Sequence, residues 1–254
     1  MQGPKPDLDL GPEAGYLGEV AERLHDLLGG GLVGVYAGGS YALGDYRRET
    51  SDLDVAAVVE EPPGAQTRKL IVERLRHEAL PCPARGLELV VYQQRTVRSA
   101  SAGSDFELNL NSGRAMALRV DEIPGSAAGH WFPIDRSILS QAGVAILGPP
   151  ASEVFAAVDQ SELLSQLLES VRWHRRRGED PADAVLNACR ALRFAEEGRW
   201  SSKTAAAEWA LARGEAPPDL VEAAVAARRG EGEVEPRSAE KLLGDVEGRL
   251  RLRR

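Results

Sequence analysis

The feature that most constrains the fold of this chain is an apolar run that ends in a glycine–glycine–serine turn. The run covers residues 32–36 (LVGVY) and is followed by Gly38, Gly39 and Ser40. Short apolar runs bounded by glycine are typical of buried strands, and we expect this turn to lead into a helix. Glycines let the backbone come close to a ligand, and a helix start presents unpaired N–H groups and partial positive charge. The segment therefore predicts a phosphate-binding turn, to which the serine hydroxyl adds a donor.

A second segment places two acids at the start of another strand. Asp52 stands twelve residues after Ser40, and Asp52 and Asp54 precede the apolar run at residues 55–59. Because alternate side chains of a strand point to the same side, both carboxylates project from one face. Two like charges this close are unfavourable alone, but carboxylate oxygens are ligands that Mg²⁺ prefers. The pair therefore predicts a magnesium site beside the turn.

A third acid, Glu88, lies inside the apolar run LELVV at residues 87–91. An acid is costly to bury in such a run, so we expect it to have a function. If this strand lies beside the strand of Asp52, three carboxylates converge. Such a set can hold two metal ions and take the proton from a hydroxyl group that attacks phosphorus. Each signal is weak alone, since Asp-x-Asp pairs often cap turns and Glu88 could face water. The combination in this order favours a nucleotidyltransferase.

The chain changes character near residues 148–150 (GPP). Before this point strands alternate with helices, whereas after it the pattern indicates helices only. We therefore predict an α+β fold with a mobile tail over residues 1–14, a mixed-sheet nucleotidyltransferase domain over 15–148 and a helical bundle over 149–254. Helix starts are expected at Asp159, Asp180 and Ser201 or Ser202, from their capping patterns. The other predicted helices are 17–28, 67–80, 217–229 and 237–250, and the predicted strands are 32–36, 55–59, 87–92 and 106–110.

Charge and cysteine content limit the partners of the chain. The 31 Lys and Arg residues against 39 Asp and Glu residues give a net charge of −8. Such a chain is a poor general nucleic-acid binder and suits a cationic or metal-complexed ligand better. Cys82 and Cys189 have no partners at disulfide or zinc spacing. With no signal peptide or apolar span in the sequence, we expect a cytoplasmic monomer that binds neither membrane nor nucleic acid.

The segment from Gly39 to Asp54 resembles the signature of the DNA polymerase β-like nucleotidyltransferases. Within them, the chain resembles the aminoglycoside adenylyltransferases that modify streptomycin and spectinomycin, over about residues 18–230. The strand of Glu88 resembles the one that carries that family's catalytic base. In the helical half, residues 185–190 (VLNACR) and 202–210 (SKTAAAEWA) resemble two further family segments.

The resemblance implies transfer of AMP from ATP to a hydroxyl group of an aminoglycoside or aminocyclitol, with release of pyrophosphate. Gly39 and Ser40 would contact the nucleotide phosphates. Asp52 and Asp54 would ligate two Mg²⁺ ions, and Glu88 would be the general base as well as a third metal-binding residue. We expect ATP to bind first and to close the two domains.

The resemblance also assigns residues of the helical half. Arg190 and Lys203 would reach the triphosphate, and Arg228 stands where the family has an aromatic that stacks on adenine. Asp180 and Asp183 would contact the antibiotic. Among the aromatic residues, Trp131 and Trp173 are candidates for stacking on the antibiotic or the base.

Ordinary structural roles compete with these assignments. Arg190 and Lys203 could be solvated, Asp180 and Asp183 could only complete a helix N-terminus, and the two tryptophans could be core residues. His130 and His174 are expected to be surface residues. The basic run at residues 175–177 is expected to be a solvated helix end, and it would repel the guanidinium groups of streptomycin. Two other functions stay open: modification of a protein or RNA, as in toxin–antitoxin nucleotidyltransferases, and a non-catalytic nucleotide-binding relic.

Overall fold

A mixed six-stranded sheet organises the N-terminal half of the molecule. The computed structural model describes residues 11–124 and 128–253. The strand order is β5-β4-β3-β2-β1-β6, in which β2 and β3 are parallel and every other pair is antiparallel. The predicted α+β class with a mixed sheet is confirmed. The strands are β1 (Leu32–Ala37), β2 (Leu53–Val59), β3 (Leu87–Gln93), β4 (Leu108–Gly113), β5 (Met116–Asp121) and β6 (Val144–Leu147).

Helices cover both faces of the sheet, which explains why its central strands are almost continuously apolar. One face packs on the first and third helices of the chain, and the other packs on the fifth and sixth. Side chains therefore alternate between two cores: Val55 of β2 belongs to the first and Ala56 to the second. The helices are α1 (Pro12–Leu28), α2 (Gly39–Ala42), α3 (Ala65–Leu75), α4 (Gln94–Val97), α5 (Trp131–Ala142), α6 (Ala151–Val154), α7 (Gln160–Arg177), α8 (Pro181–Glu197), α9 (Lys203–Arg213), α10 (Pro218–Ala227) and α11 (Pro236–Arg253).

The C-terminal half, α7 to α11, packs around a separate apolar core. Its predicted caps are present: Asp159 accepts hydrogen bonds from the first turn of α7, and Ser202 accepts one from the Ala205 N–H. Ile134 and Ile138 of α5 also belong to this core. Helix α5 therefore joins the two halves, with one side on the sheet and the other on the helices.

Several element bounds differ from the sequence expectations. Of the predicted tail, residues 1–10 lie outside the described residues, whereas residues 12–14 form the first turn of α1, for which Pro12 is a favourable first residue. Helix α3 ends at Leu75, not at residue 80, because Arg76 adopts an extended conformation. No helix within residues 11–124 or 128–253 has the length and apolar character needed to cross a membrane.

Candidate active site

A cleft of about 1030 Å³ lies between the sheet and the helical half. The cleft is lined by the glycine–serine turn, the strand acids and the helical residues singled out from the sequence, although they come from distant parts of the chain. These residues are Gly39, Ser40, Asp52, Asp54, Glu88, Trp131, Trp173, Asp180, Asp183, Arg190, Lys203 and Arg228.

The glycine–serine turn is bonded directly to the strand that carries Asp54. Gly38 donates its N–H to the Asp54 carbonyl oxygen at 2.9 Å, and Gly39 begins α2 with a φ of +51°. A Cβ on Gly39 would lie 1.7 Å from Oδ2 of Asp54. Glycine is therefore required here both by the backbone angle and by the space that the carboxylate occupies.

Asp54 and Glu88 lie side by side at the edge of the cleft. They are direct neighbours in the register of the parallel strands β2 and β3, so their side chains project from the same face. Burial in the cleft and the nearby Asp52 raise the pKa of Asp54 to about 6, although Lys203 and Arg190 act in the opposite direction. Burial and the Asp54 carboxylate raise the pKa of Glu88 well above its usual value. The Glu88 carboxylate is therefore a stronger proton acceptor than an exposed glutamate.

Asp52 forms an ion pair with Arg85. Its two carboxylate oxygens accept hydrogen bonds from Arg85 Nε and Nη2 at 2.8 Å and 2.5 Å. In this arrangement no three His, Cys, Asp or Glu side chains of the described residues are grouped so that they could hold a metal ion. The donor chemistry of Asp54 and Glu88 nevertheless fits Mg²⁺, because a dication would offset the burial and the repulsion that together raise their pKa values. Asp52 would join them after leaving Arg85.

A further acid of the cleft, Asp135 of α5, was not predicted from the sequence. Burial and the facing Asp54 raise its pKa to about 8, and Arg190 acts in the opposite direction. Its position inside the apolar stretch FPIDRSIL is a signal of the same kind as that of Glu88. The sheet side of the cleft therefore carries Asp52, Asp54, Glu88 and Asp135.

The opposite wall carries cations that are bonded into a polar network. Lys203 donates to Oδ1 of Asp183, and the Asn187 side-chain N–H donates to Oδ2 of Asp183 at 2.8 Å. Arg190 Nη2 donates to the Asn187 side-chain oxygen at 2.9 Å, and Asn187 Nδ2 lies 3.3 Å from His174 Nε2. Arg190 and Lys203 are therefore not solvated surface residues but face the acids across the cleft. Asn187 was not singled out from the sequence.

Asp180 combines a structural role with a position in the cleft. Its side chain accepts a hydrogen bond from the Asp183 N–H at 3.0 Å and caps α8, with a left-handed φ of 47°. Aspartate tolerates this region better than most residues and is a strong N-cap. The capping role is thus present, and the residue also lines the cleft.

Asp45, which follows the glycine–serine turn, connects the two halves. Its carboxylate accepts hydrogen bonds from Thr204 N–H at 3.2 Å and from Thr204 Oγ1 at 3.0 Å, at the start of α9. Arg228 Nη2 lies 3.5 Å from the same carboxylate, with both side chains at 13% and 10% exposure. Nε of Arg228 is buried without a hydrogen-bond partner among the described residues. Arg228 is therefore held beside the turn with an unsatisfied donor.

An aromatic cluster forms the remaining side of the cleft. The rings of Trp131 and Trp173 meet edge to face at 5.5 Å, and His174 lies 5.7 Å from Trp131. The expectation that His130 and His174 are surface residues is wrong: they are 7% and 6% exposed. Burial lowers the pKa of each to about 4, so both are neutral at pH 7. Arg177 lies over the Trp173 ring at 5.0 Å. The tryptophans both pack together and line the cleft.

Two of the three arginines in the basic run at residues 175–177 form ion pairs. Arg175 binds Glu247 of α11 at 2.9 Å, on the side away from the cleft. Arg177 binds Glu179 at 2.9 Å and lines the cleft. Glu247 also pairs with Arg172 and Arg251, so the positive charge of the run is only partly offset. All three arginines are exposed, as expected of a solvated helix end.

Comparisons with known proteins agree with this arrangement. Residues 17–92 match the family model described as a nucleotidyltransferase domain, and residues 153–250 match the one described as the C-terminal domain of aminoglycoside adenylyltransferase. Among solved structures, the chain is similar to spectinomycin adenyltransferase AAD(9) from Enterococcus faecialis, crystallised with ATP and spectinomycin. The TM-score is 0.68 at 16% identity, over 93% of this chain and 98% of that chain, a likeness of fold. No curated protein matches the chain.

Proposed function

Because this chain belongs to the aminoglycoside adenylyltransferase family, we propose that it transfers AMP from ATP to a hydroxyl group of an aminocyclitol or aminoglycoside and releases pyrophosphate. The observation that supports this most is the division of charge across the cleft. Asp54 and Glu88 occupy the sheet side, whereas Arg190 and Lys203 occupy the helical side near the acids Asp180 and Asp183. A cationic acceptor and a polyanionic donor can therefore lie together, each beside charges of opposite sign.

Glu88 is the proposed general base. It lies next to Asp54 in the cleft, and its raised pKa lets it take a proton from a sugar hydroxyl group as the oxygen attacks the α-phosphorus. The bond from the acceptor oxygen to the α-phosphorus forms while the bond to the leaving pyrophosphate breaks.

The nucleotide lies between the turn and the helical cations in this proposal. Gly39 and Ser40 bring backbone N–H groups and a hydroxyl group to the phosphates. Arg190 and Lys203 stabilise the charge that builds up on the leaving pyrophosphate. Arg228, which Asp45 holds in place, presents its planar guanidinium to the adenine, since arginine can stack on a base.

Mg²⁺ is the proposed metal, with Asp52, Asp54 and Glu88 as the residues that would hold two ions. When bound, it supplies positive charge to the phosphate oxygens and lowers the pKa of a coordinated hydroxyl group. Asp54 and Glu88 offer oxygen donors side by side, and Arg85 keeps Asp52 in a paired state until then.

The proposed acceptor is a spectinomycin- or streptomycin-type antibiotic. Trp131 and Trp173 offer apolar surface to its rings, and Asp180 and Asp183 offer carboxylates to its ammonium groups. The related AAD(9) is a spectinomycin adenyltransferase, which makes spectinomycin the first acceptor to test. Since ATP is the donor, we propose a cytoplasmic enzyme whose role is antibiotic resistance.

The test measures pyrophosphate release from ATP and Mg²⁺ with spectinomycin, streptomycin, kanamycin or RNA as acceptor. We expect release with an aminocyclitol or aminoglycoside, and loss of turnover but not of ATP binding in Glu88→Gln. The matched control is Glu222→Gln, on the exposed side of α10. Release with RNA alone, or normal turnover by Glu88→Gln, would contradict the proposal.

A further inference from the structure

The acid proposed for the acceptor and the cation proposed for the triphosphate are bonded to each other. Lys203 donates to Oδ1 of Asp183, and the side chains are 22% and 29% exposed. Asn187 donates to the other oxygen, Oδ2, at 2.8 Å. Burial tends to raise the pKa of Asp183, but the charge and hydrogen bond of Lys203, together with the nearby Arg190, lower the pKa below its usual value. Both oxygens of Asp183 are thus engaged before any acceptor is present.

Arg190, the second cation proposed to contact the triphosphate, is linked to Asp183 through the side chain of Asn187. Asn187 donates to Asp183 and accepts from Arg190 Nη2 at 2.9 Å. Asn187 is itself 8% exposed, so its amide is held in place by packing. A movement of either cation toward a nucleotide therefore changes the hydrogen bonding of Asp183.

Lys203 occupies a position that is unfavourable for a cation unless an anion accompanies it. It is the first residue of α9, directly after the N-cap Ser202. The N-terminus of a helix carries partial positive charge, so a lysine there gains from a neighbouring anion. Asp183 supplies that anion in this structure, and a triphosphate would supply a stronger one.

From this geometry we propose that Asp183 and Lys203 form an exchange pair that couples nucleotide binding to acceptor binding. Lys203 leaves Asp183 for the triphosphate, and the freed carboxylate then binds an ammonium group of the acceptor. The inference rests on the proposed function, in which Lys203 contacts the nucleotide. Because coupling free energies are reciprocal, the acceptor must also tighten nucleotide binding by the same factor.

The proposal and a purely structural role of Asp183 predict opposite effects of one substitution on nucleotide affinity. If Asp183 only positioned Lys203, Asp183→Asn would weaken nucleotide binding. If Asp183 competes for Lys203, the same substitution tightens it, by roughly three- to tenfold for a partly exposed ion pair. Lys203→Met gives the complementary result, since it frees Asp183 and strengthens acceptor binding without nucleotide.

The experiment is isothermal titration of the full-length protein with α,β-methylene-ATP and with spectinomycin, each alone and in the presence of the other. In the wild type we expect each ligand to tighten the other at least fivefold. In Asp183→Asn we expect tighter nucleotide binding, weaker spectinomycin binding and a coupling factor near one. Glu208→Gln, an equal charge change on the exposed side of α9, is the control and should keep the wild-type coupling. Circular dichroism melting confirms that each variant is folded.

The experiment distinguishes a failure of the proposed function from a failure of the exchange pair. If the wild type binds neither the nucleotide nor spectinomycin, the proposed function is wrong and the inference falls with it. If the wild type binds both, but Asp183→Asn weakens nucleotide binding or keeps the full coupling, the exchange pair alone is refuted.

Discussion

The crowding of the carboxylates predicts that one substitution in the cleft will stabilise the protein, whereas most substitutions destabilise a protein. Asp54 is held in a cleft beside Glu88 and Asp52, where burial and like charge raise its pKa from 3.8 to about 6. A group whose pKa is raised on folding favours the folded state at low pH, and this contribution is lost as the pH rises through 6. At pH 7.5 the ionised Asp54 therefore destabilises the ligand-free protein. Asp54→Asn, which removes the charge but keeps the shape, should stabilise it.

The magnitude follows from the size of the shift. About two pKa units at about 1.4 kcal/mol each give up to about 3 kcal/mol at pH 7.5. For a chain of this size, that corresponds to an increase in Tm of roughly 6–12 °C. The gain should shrink steadily as the pH falls from 6 and vanish below about 3.8, where the wild-type carboxyl is protonated in both states.

The assay is thermal unfolding at several pH values between 7.5 and 5, in EDTA and, as a separate series, in Mg²⁺ without EDTA. Asp245→Asn, on the exposed side of α11, is the matched control and should change Tm little. We also expect Asp54→Asn to abolish AMP transfer, because the same charge is needed by the metal. An unchanged or lower Tm at pH 7.5, or a gain that does not depend on pH, would refute the reasoning.

Three further predictions concern other parts of the cleft. Glu88→Gln should lower kcat by at least 10²-fold with little change in the Kd for ATP, and a similar loss of both would contradict the base assignment. Asp45→Asn should raise KM for ATP severalfold, because Thr204 and Arg228 lose a shared acceptor; an unchanged KM would show that this contact is incidental. As the pH decreases from 6.5 to 4, the contribution of the buried His130 and His174 to the free energy of unfolding should fall, because their lowered pKa values make them take up protons on unfolding; the carboxylates with raised pKa values act in the opposite direction. His130→Phe should reduce this slope in urea denaturation by one proton, and an identical slope would contradict the assignment.

The parts of the fold that were predicted from sequence are those whose signal is local. Strands β1, β2 and β3 are covered on both faces, so they appear as continuous apolar runs between glycines or charged residues. Strand β5 was missed because it is an exposed edge strand without a buried alternation, and β6 because it has only four residues. Helix α5 was missed as well, since Pro133 near its start and its apolar residues on two sides hide the helical period.

The same distinction between local and non-local signals applies to the residues of the candidate site. Ser40, Asp52 and Asp54 could be proposed because their spacing along one strand–turn–strand unit already fixes their relative positions. Asp135 has a local signal, an acid inside an apolar stretch, but nothing in the sequence places it beside Asp54. Asn187 has no such signal, and the positions of both residues in the site depend on how α5 and α8 pack around the cleft.

The continuity of the cleft has a consequence for inhibition. Its volume of about 1030 Å³ is at the upper end of the range of ~300–1,000 Å³ that holds one small ligand. The glycine–serine turn and the acids proposed to bind the acceptor, Asp180 and Asp183, line this same cleft. A bisubstrate compound, which joins an adenosine phosphate to a cationic aminocyclitol, would therefore reach both regions at once. Its second half would bind at the effective concentration set by the linker, so modest affinities for the separate parts could combine into tight inhibition.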